Sequence, residues 1–469
     1  MSHTYLLIFI ALYLISTVAI GYWASKFVKN TSDFVVAGRS LPFYMVTCGL
    51  FAEWFGSETL MGSTKEFLEG GILAVIEEPF GAALCLVLVG LLIARPMYRL
   101  NILTFSDYFR IRFNQKAEVV SAVMIVPSYL GWIAAQLIAL SIVLHVLAGI
   151  PLTTGIIGCA LIVMGYTFVG GMWAVSVTDF VQTIMIVLGL AIVMIEVVGK
   201  AGGFAQIIAQ QPEGFFDFYP KHPTKIQFIE YLCAWITVGF GSIPQQDVFQ
   251  RVMSAKDEKT AVQASYASGI LYLTIAFMPL FIGLAGRQLY PDLVAEGKDV
   301  QMLIPQLVLQ HGSFLLQVLF FGALLSAILS TTSGAILAPA TVIGENLVKP
   351  FLKKSTDKQI LFVMRLAVVG VTVASAWIAT QSNDIFELVG QSSAISLVGL
   401  FIPLLAGIYW KGARSWGAIA SMLLGLGVWA VAEFVVHPEL PTILYGLGAS
   451  LTGMLVGSWV DKRMVRSHF

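Results

Sequence analysis

The chain reads as an all-α polytopic membrane protein of about thirteen transmembrane helices. Three observations point there. First, 58% of its 469 residues are hydrophobic and 12% charged, with a mean hydropathy of +0.85. Soluble proteins carry roughly 25% charge, so this composition excludes a soluble enzyme, a nucleic-acid-binding module and a disordered chain. Second, apolar runs recur at about the 20-residue length that crosses a bilayer. Third, Lys and Arg gather on one side when those runs are alternated across a membrane, as cytoplasmic loops do. Lys plus Arg and Asp plus Glu both number 27, so net charge indicates no nucleic-acid partner.

In order, the runs lie near 5–24, 41–66, 73–97, 119–147, 152–170, 174–198, 228–249, 262–285, 313–347, 360–380, 385–410, 413–436 and 441–460. No Lys or Arg precedes the first, whereas Lys26 and Lys29 follow it. A cleavable signal peptide starts positive, so this run is expected to stay as a helix with its N-terminus outside. Alternation then leaves on the outer side only Lys65, Lys200, Lys221, Lys225, Arg287 and Lys298 of the 27 basic residues. The basic tail with Lys462, Arg463 and Arg466 falls inside. The expectation is a multi-pass protein of the cell (inner) membrane, in contact with the lipid bilayer, with a cytoplasmic C-terminus. The longest polar connection, near 199–227, is modest, so residues 1–469 are expected to form a single membrane domain. Cys48, Cys85, Cys159 and Cys233 each sit within an apolar run and read as small buried hydrophobes.

Two runs are interrupted. The second holds Ala52-Glu53-Trp54-Phe55-Gly56-Ser57-Glu58-Thr59, and the seventh holds Gly239-Phe240-Gly241-Ser242-Ile243-Pro244-Gln245-Gln246. Gly and Pro loosen a helix, and polar groups at mid-depth need partners. One reading is close packing or a kink. The other follows from the five-helix spacing, which is odd and therefore inverts the second unit: two inverted repeats, 41–199 and 228–410, with an extra N-terminal helix (5–24) and two extra C-terminal ones (413–460). Broken helices would then offer free carbonyls and amides at the bilayer midplane.

The ninth run carries Ser330-Thr331-Thr332-Ser333. Such hydroxyls commonly bond back to the carbonyl one turn earlier. They also suit Na+, a hard cation that takes oxygen ligands. Ser330 and Thr331 would supply hydroxyls, Ala327 a carbonyl one turn earlier, and a broken neighbour the remaining carbonyls.

Four segments resemble the sodium:solute symporters, a family that includes transporters for proline, sialic acid, pantothenate, sugars, iodide and choline and shares the LeuT fold. They are Ser32–Arg39, Gly170–Gln182, Pro244–Lys256 and the Ser/Thr stretch; the pattern G-G-x-x-A-V-x-x-T-D-x-x-Q is the most specific. The resemblance implies a LeuT-type 5+5 inverted repeat. It places Na+ at the backbone oxygens of Ala52 and Phe55, with Ala327, Ser330 and Thr331. Some relatives hold a second Na+ nearer the cytoplasm, at positions matching Asp179, Ser330 and Ser333. Two further ligand positions fall on Trp54 and Gly334, which lack a side-chain oxygen, so Asp179 reads alternatively as part of an ion exit path or as the partner of a nearby Arg.

The choline branch is the nearest in Ala52-Glu53-Trp54, Ile93–Met97 and Ile243-Pro244-Gln245. There, Trp54 and Trp132 match aromatics facing a quaternary ammonium, a contact of about 0.5–2 kcal/mol. Two more cage positions fall on Ala82 and Gln245. Glu58 matches a substrate-contacting position of the proline branch and suits an ammonium, unless it binds amides freed by the helix break. Gln245 and Gln246 suit a cargo carboxylate. Glu77 and Glu78 are expected at the outer mouth.

The reading is therefore Na+-coupled symport, by alternating access, of an amino acid such as proline or a quaternary amine such as choline or betaine. No protein partner is required. A membrane sensor acting through a separate signalling partner and a sodium-independent facilitator are the alternatives. An enzyme is not expected: H-E-x-x-H, G-x-S-x-G and the P-loop pattern are absent.

Overall fold

A computed structural model describes residues 2–295, 298–352, 356–382 and 384–466. Lys353 and Lys354, expected on the inner face, lie outside these. Among the described residues regular structure is helical, apart from one isolated bridge between Leu41 and Ala255.

Among the described residues ten helices are long and apolar enough to cross a membrane. They are α1 (Tyr5–Ala24), α4 (Ile76–Tyr98), α5 (Gln115–Ala148), α7 (Gly171–Lys200), α10 (Glu258–Leu289), α11 (Phe314–Phe351), α12 (Asp357–Ala379), α13 (Ile385–Tyr409), α14 (Ser415–Val436) and α15 (Thr442–Arg463). The bent pair α8 (Lys225–Gly241) and α9 (Gln246–Ser254), which turn by 49°, makes an eleventh when counted as one span. The expected thirteen thus become ten or eleven by length and composition, and the two shortfalls have local causes. The expected run 41–66 is split into α2 (Phe43–Trp54) and α3 (Ser63–Ala74), joined through a wide helical turn at Glu58–Gly62. The run 152–170 gives only a short apolar helix, α6 (Leu152–Gly165). The chain kinks at Gly171 (φ 57°), where a Cβ would lie 2.5 Å from the Phe34 ring.

Both predicted interruptions are real. α2 stops at Trp54 because Phe55 leaves helical geometry (ψ 72°). α8 stops before Pro244, which lacks the N–H that continued helix needs. Hydrophilic caps fix the helix starts: the Thr224 hydroxyl and Gln227 form a capping box on α8, and Asp257 accepts from the Thr260 N–H at 2.7 Å below α10.

The helices sort into inside and outside. In α11 78% of the most apolar window is buried, against 25% in α1. α7 packs along α11 and α1, α2 along α7 and α10, and α5 along α12 and α13. Large apolar residues on the rim, such as Ile15, Ile195 and Trp377, are exposed, which suits lipid. α14 and α15 form a closely packed outer pair, with Ser421 and Ser450 hydroxyls 2.8 Å apart. Side chains from α5, α9 and α11 reach the break in this packed core.

Candidate functional site

The break in α2 and α3 is where the polar chemistry converges. Three arrangements meet it, one on each side.

On the α11 side, the four hydroxyls divide. Thr332 bonds back to the Ile328 carbonyl and Ser333 to the Ser330 carbonyl at 2.9 Å, so both serve their own helix. Thr331 instead reaches the Ala52 carbonyl at 3.2 Å, and Ser330 donates to Asp179 Oδ1 at 2.5 Å. The two hydroxyls expected at a Na+ site are thus the two that leave α11, and one meets a carbonyl expected beside them. The donor set is neutral oxygen backed by a carboxylate, which fits a hard monovalent cation.

On the α9 side lies a charged trio. Arg251 of α9, fully buried, places Nη2 2.6 Å from Glu53 Oε2 and 3.2 Å from Asp179 Oδ2. Gly334 of α11 makes room for it: a Cβ there would lie 2.0 Å from Glu53 Oε2 and 2.5 Å from Arg251 Nη2. Asp179 therefore already faces a cation, and Ser333 is turned to its own backbone. Asp247, next along, accepts from the Trp54 indole N–H at 3.0 Å and from the Tyr129 hydroxyl.

On the third side is a small, tight cavity lined by Trp54, Glu58, Glu78, Trp132, Gln245 and residues of α8 and α13. Glu58 is 3% exposed. It accepts from Trp132 Nε1 at 3.1 Å and from Gln136 Nε2 at 2.7 Å, so side chains of α5 hold it rather than freed backbone amides. Gln136 in turn accepts from the Ser57 N–H at 3.0 Å, tying α5 to the break. A Cβ on Gly56 would lie 2.7 Å from Glu58 Oε2 and 2.9 Å from Thr331 Oγ1, so the cavity and the hydroxyl site are adjacent. Gln245 also lines the cavity and has no side-chain partner among the described residues.

Two expectations need correction. Gln246 does not join the cavity: its amide accepts from the Phe105 N–H at 2.6 Å and reaches the Leu103 carbonyl at 3.4 Å, so it pins the segment before residue 105 to the start of α9. Glu78 is not at the mouth but buried, bonded to the hydroxyls of Tyr272 and of Thr59, the latter at 3.1 Å. Glu77 keeps the outer position, lining a wider cavity above.

Sequence reasoning missed Gln136, Tyr129, Arg251 and Tyr272. A signal existed for Gln136, which stands one helical turn after Trp132 and so shares its face. Asp247 also carried one, directly after the break at Pro244. For Arg251 the signal was only that Asp179 could pair with an Arg, without its position; Tyr272 had none, because its partner is far away in sequence.

Comparison with known proteins decides the family. A family model described as the sodium:solute symporter family matches residues 34–425. The chain belongs to the sodium:solute symporter family. Its relatives include the high-affinity choline transporter 1 of Caenorhabditis elegans, 27% identical over 89% of this chain and 76% of that one. The osmoregulated proline transporter OpuE of Bacillus subtilis is 26% identical over 99% and 96%, and sodium/proline symporter 2 of Staphylococcus saprophyticus is 28% identical over 90% and 84%. Among solved structures, a Na+-coupled sialic acid symporter in a substrate-bound outward-open state superposes with a TM-score of 0.82, at 20% identity over 98% of each chain. The closed Mhp1, a nucleobase-cation-symport-1 transporter, gives 0.60 at 17% identity, over 92% of this chain and 95% of that one. This symporter is accordingly a multi-pass membrane transporter with their all-helical fold, and not an enzyme.

Proposed function

We propose that this member of the family is a Na+-coupled symporter for a small organic solute with an amine nitrogen, the class spanning proline and choline or betaine. One observation carries the reading. The broken helix borders the Ser330–Thr331 hydroxyls on one side and the Trp54–Trp132–Glu58 cavity on the other. Na+ held by the Ala52, Phe55 and Ala327 carbonyls with Ser330 and Thr331 would fix the break, and with it the wall of the solute cavity. A cation over either indole gains from the ring quadrupole, and Glu58 stands beside Trp132 to receive it.

One Na+ per cycle is the stoichiometry this arrangement favours. The guanidinium of Arg251 takes the place of a second cation against Asp179. The two inverted repeats, 41–199 and 228–410, and the thirteen-span count belong to the same proposal. Support comes from the paired breaks and from the match in overall fold to a Na+-coupled symporter.

The test is solute uptake into proteoliposomes with and without an inward Na+ gradient. Uptake should collapse without the gradient, and Ser330→Ala with Thr331→Ala should abolish the Na+ response. Uptake by that double variant with unchanged Na+ dependence would overturn the ion assignment.

A further inference from the structure

Buried acidic side chains outnumber buried basic ones in the site. Five carboxylates, those of Glu53, Glu58, Glu78, Asp179 and Asp247, are each at most 6% exposed around the break. Among the described residues Arg251 is the only buried Lys or Arg. It faces Glu53 and Asp179 and does not line the solute cavity. The two acids that do line the cavity have only neutral partners: indole, amide and hydroxyl for Glu58, two hydroxyls for Glu78. Buried carboxylates without a counter-charge are costly in a low-dielectric interior. One Na+ beside Thr331 does not redress the excess.

The cavity also lacks what a zwitterion needs. No cationic side chain lines it, so a cargo carboxylate would meet Glu58 and Glu78 with only the Gln245 amide in its favour. Gln245 is 3% exposed, its side chain without a partner among the described residues and lining this cavity, which marks the cavity as built for a ligand. Two indoles, Trp54 and Trp132, line the cavity together with the acids.

The approach repeats the pattern. Beyond it lies a wider cavity of about 480 Å³, bordered by Glu66, Glu77, Glu230, Asp384, Glu387 and Glu433. It adjoins the inner one directly: Glu77 lines the outer and Glu78 the inner, as Thr237 and Val238 do on α8. The base at its edge, Lys65, is already paired with Asp384 at 2.6 Å and Glu66 at 3.4 Å. A cleft of one sign concentrates the opposite charge.

We propose that the cargo is a small aliphatic amine carrying more than one positive charge, of the diamine class, held by Glu58 and Glu78 between the two indoles. This rests on the symport reading and departs from it in the solute, with a diamine in place of proline, choline or betaine. A diamine satisfies both carboxylates at once, presents methylene to the indoles and brings no carboxylate of its own.

The experiment uses the full chain in proteoliposomes, with radiolabelled putrescine, choline, betaine and proline, each with and without an inward Na+ gradient. Putrescine binding to the detergent-solubilised protein is followed in parallel by thermal shift. Na+-driven putrescine uptake at least tenfold above that of choline, betaine and proline is expected. Glu78→Gln should cut putrescine uptake at least tenfold while keeping the Na+-induced thermal shift, which shows that the variant is folded. Na+-driven uptake of proline or choline without putrescine would overturn the diamine and leave the symporter standing. Putrescine uptake indifferent to Na+ would support the diamine and overturn the coupling. No thermal shift with putrescine, by a protein that still responds to Na+, would overturn the diamine.

Discussion

At Arg251 one guanidinium serves two carboxylates, and it carries a large share of the site's stability. A buried ion pair that loses one partner typically costs about 3–5 kcal/mol, because the remaining charge is stranded. Arg251→Met is therefore expected to destabilise the protein by about that much, read as a fall in the detergent melting temperature. Adding Glu53→Gln should recover part of it, since one stranded charge is removed; additive losses would show that the two residues are not coupled. Gln136 offers a milder case. Gln136→Leu leaves Glu58 Oε2 and the Ser57 N–H without their partner. A buried polar atom left unsatisfied costs about 1–3 kcal/mol, so solute affinity should weaken roughly tenfold or more in a binding titration, with Na+ dependence kept.

Among the elements, close approach at one helix face decides more than composition does. Gly334 on α11 lets the Glu53–Arg251 pair sit against the helix. Gly334→Ala should cost about 1–3 kcal/mol by overpacking and impair transport through the displaced pair. Gly370 on α12 has open space around its missing Cβ. Gly370→Ala should raise stability by about 0.5–1 kcal/mol, the usual gain in a helix interior; equal losses at both positions in a thermal melt would refute the packing account. This contrast marks where sequence could and could not be read. The breaks at Phe55 and Pro244 were legible because Gly, Pro and acids interrupt otherwise apolar runs. The hydroxyl stretch was legible too, but which two of its members leave α11 depends on where Ala52 and Asp179 come to lie. Gln246 misled because its neighbour Gln245 faces the cavity, and one step along the start of α9 turns a side chain to the opposite side, here toward Leu103 and Phe105. Glu78 misled because the partner that buries it, Tyr272, arrives from α10, almost two hundred residues away.

For the whole molecule, low charge identified a membrane protein, and the position of each remaining charge carries the mechanism. Buried acids gather at the break, a wide acidic cleft adjoins it, and basic residues crowd the opposite loops. If the N-terminus is outside, the cleft opens outward, because α8 starts there and α13 follows an outer loop. The cleft would then draw cations from the side where Na+ is abundant, and the basic loops would face the cytoplasm, so a single orientation satisfies both charge patterns. Lys221 and Lys256 distinguish it from its inverse: both are exposed, and they lie at opposite ends of the α8–α9 pair. In a cysteine-free background, with Cys48, Cys85, Cys159 and Cys233 replaced, Lys221→Cys should react with a membrane-impermeant maleimide in intact cells. Lys256→Cys should react only after the cells are opened. The reverse pattern would turn the acidic cleft toward the cytoplasm and recast the transporter as one that gathers its cation from inside.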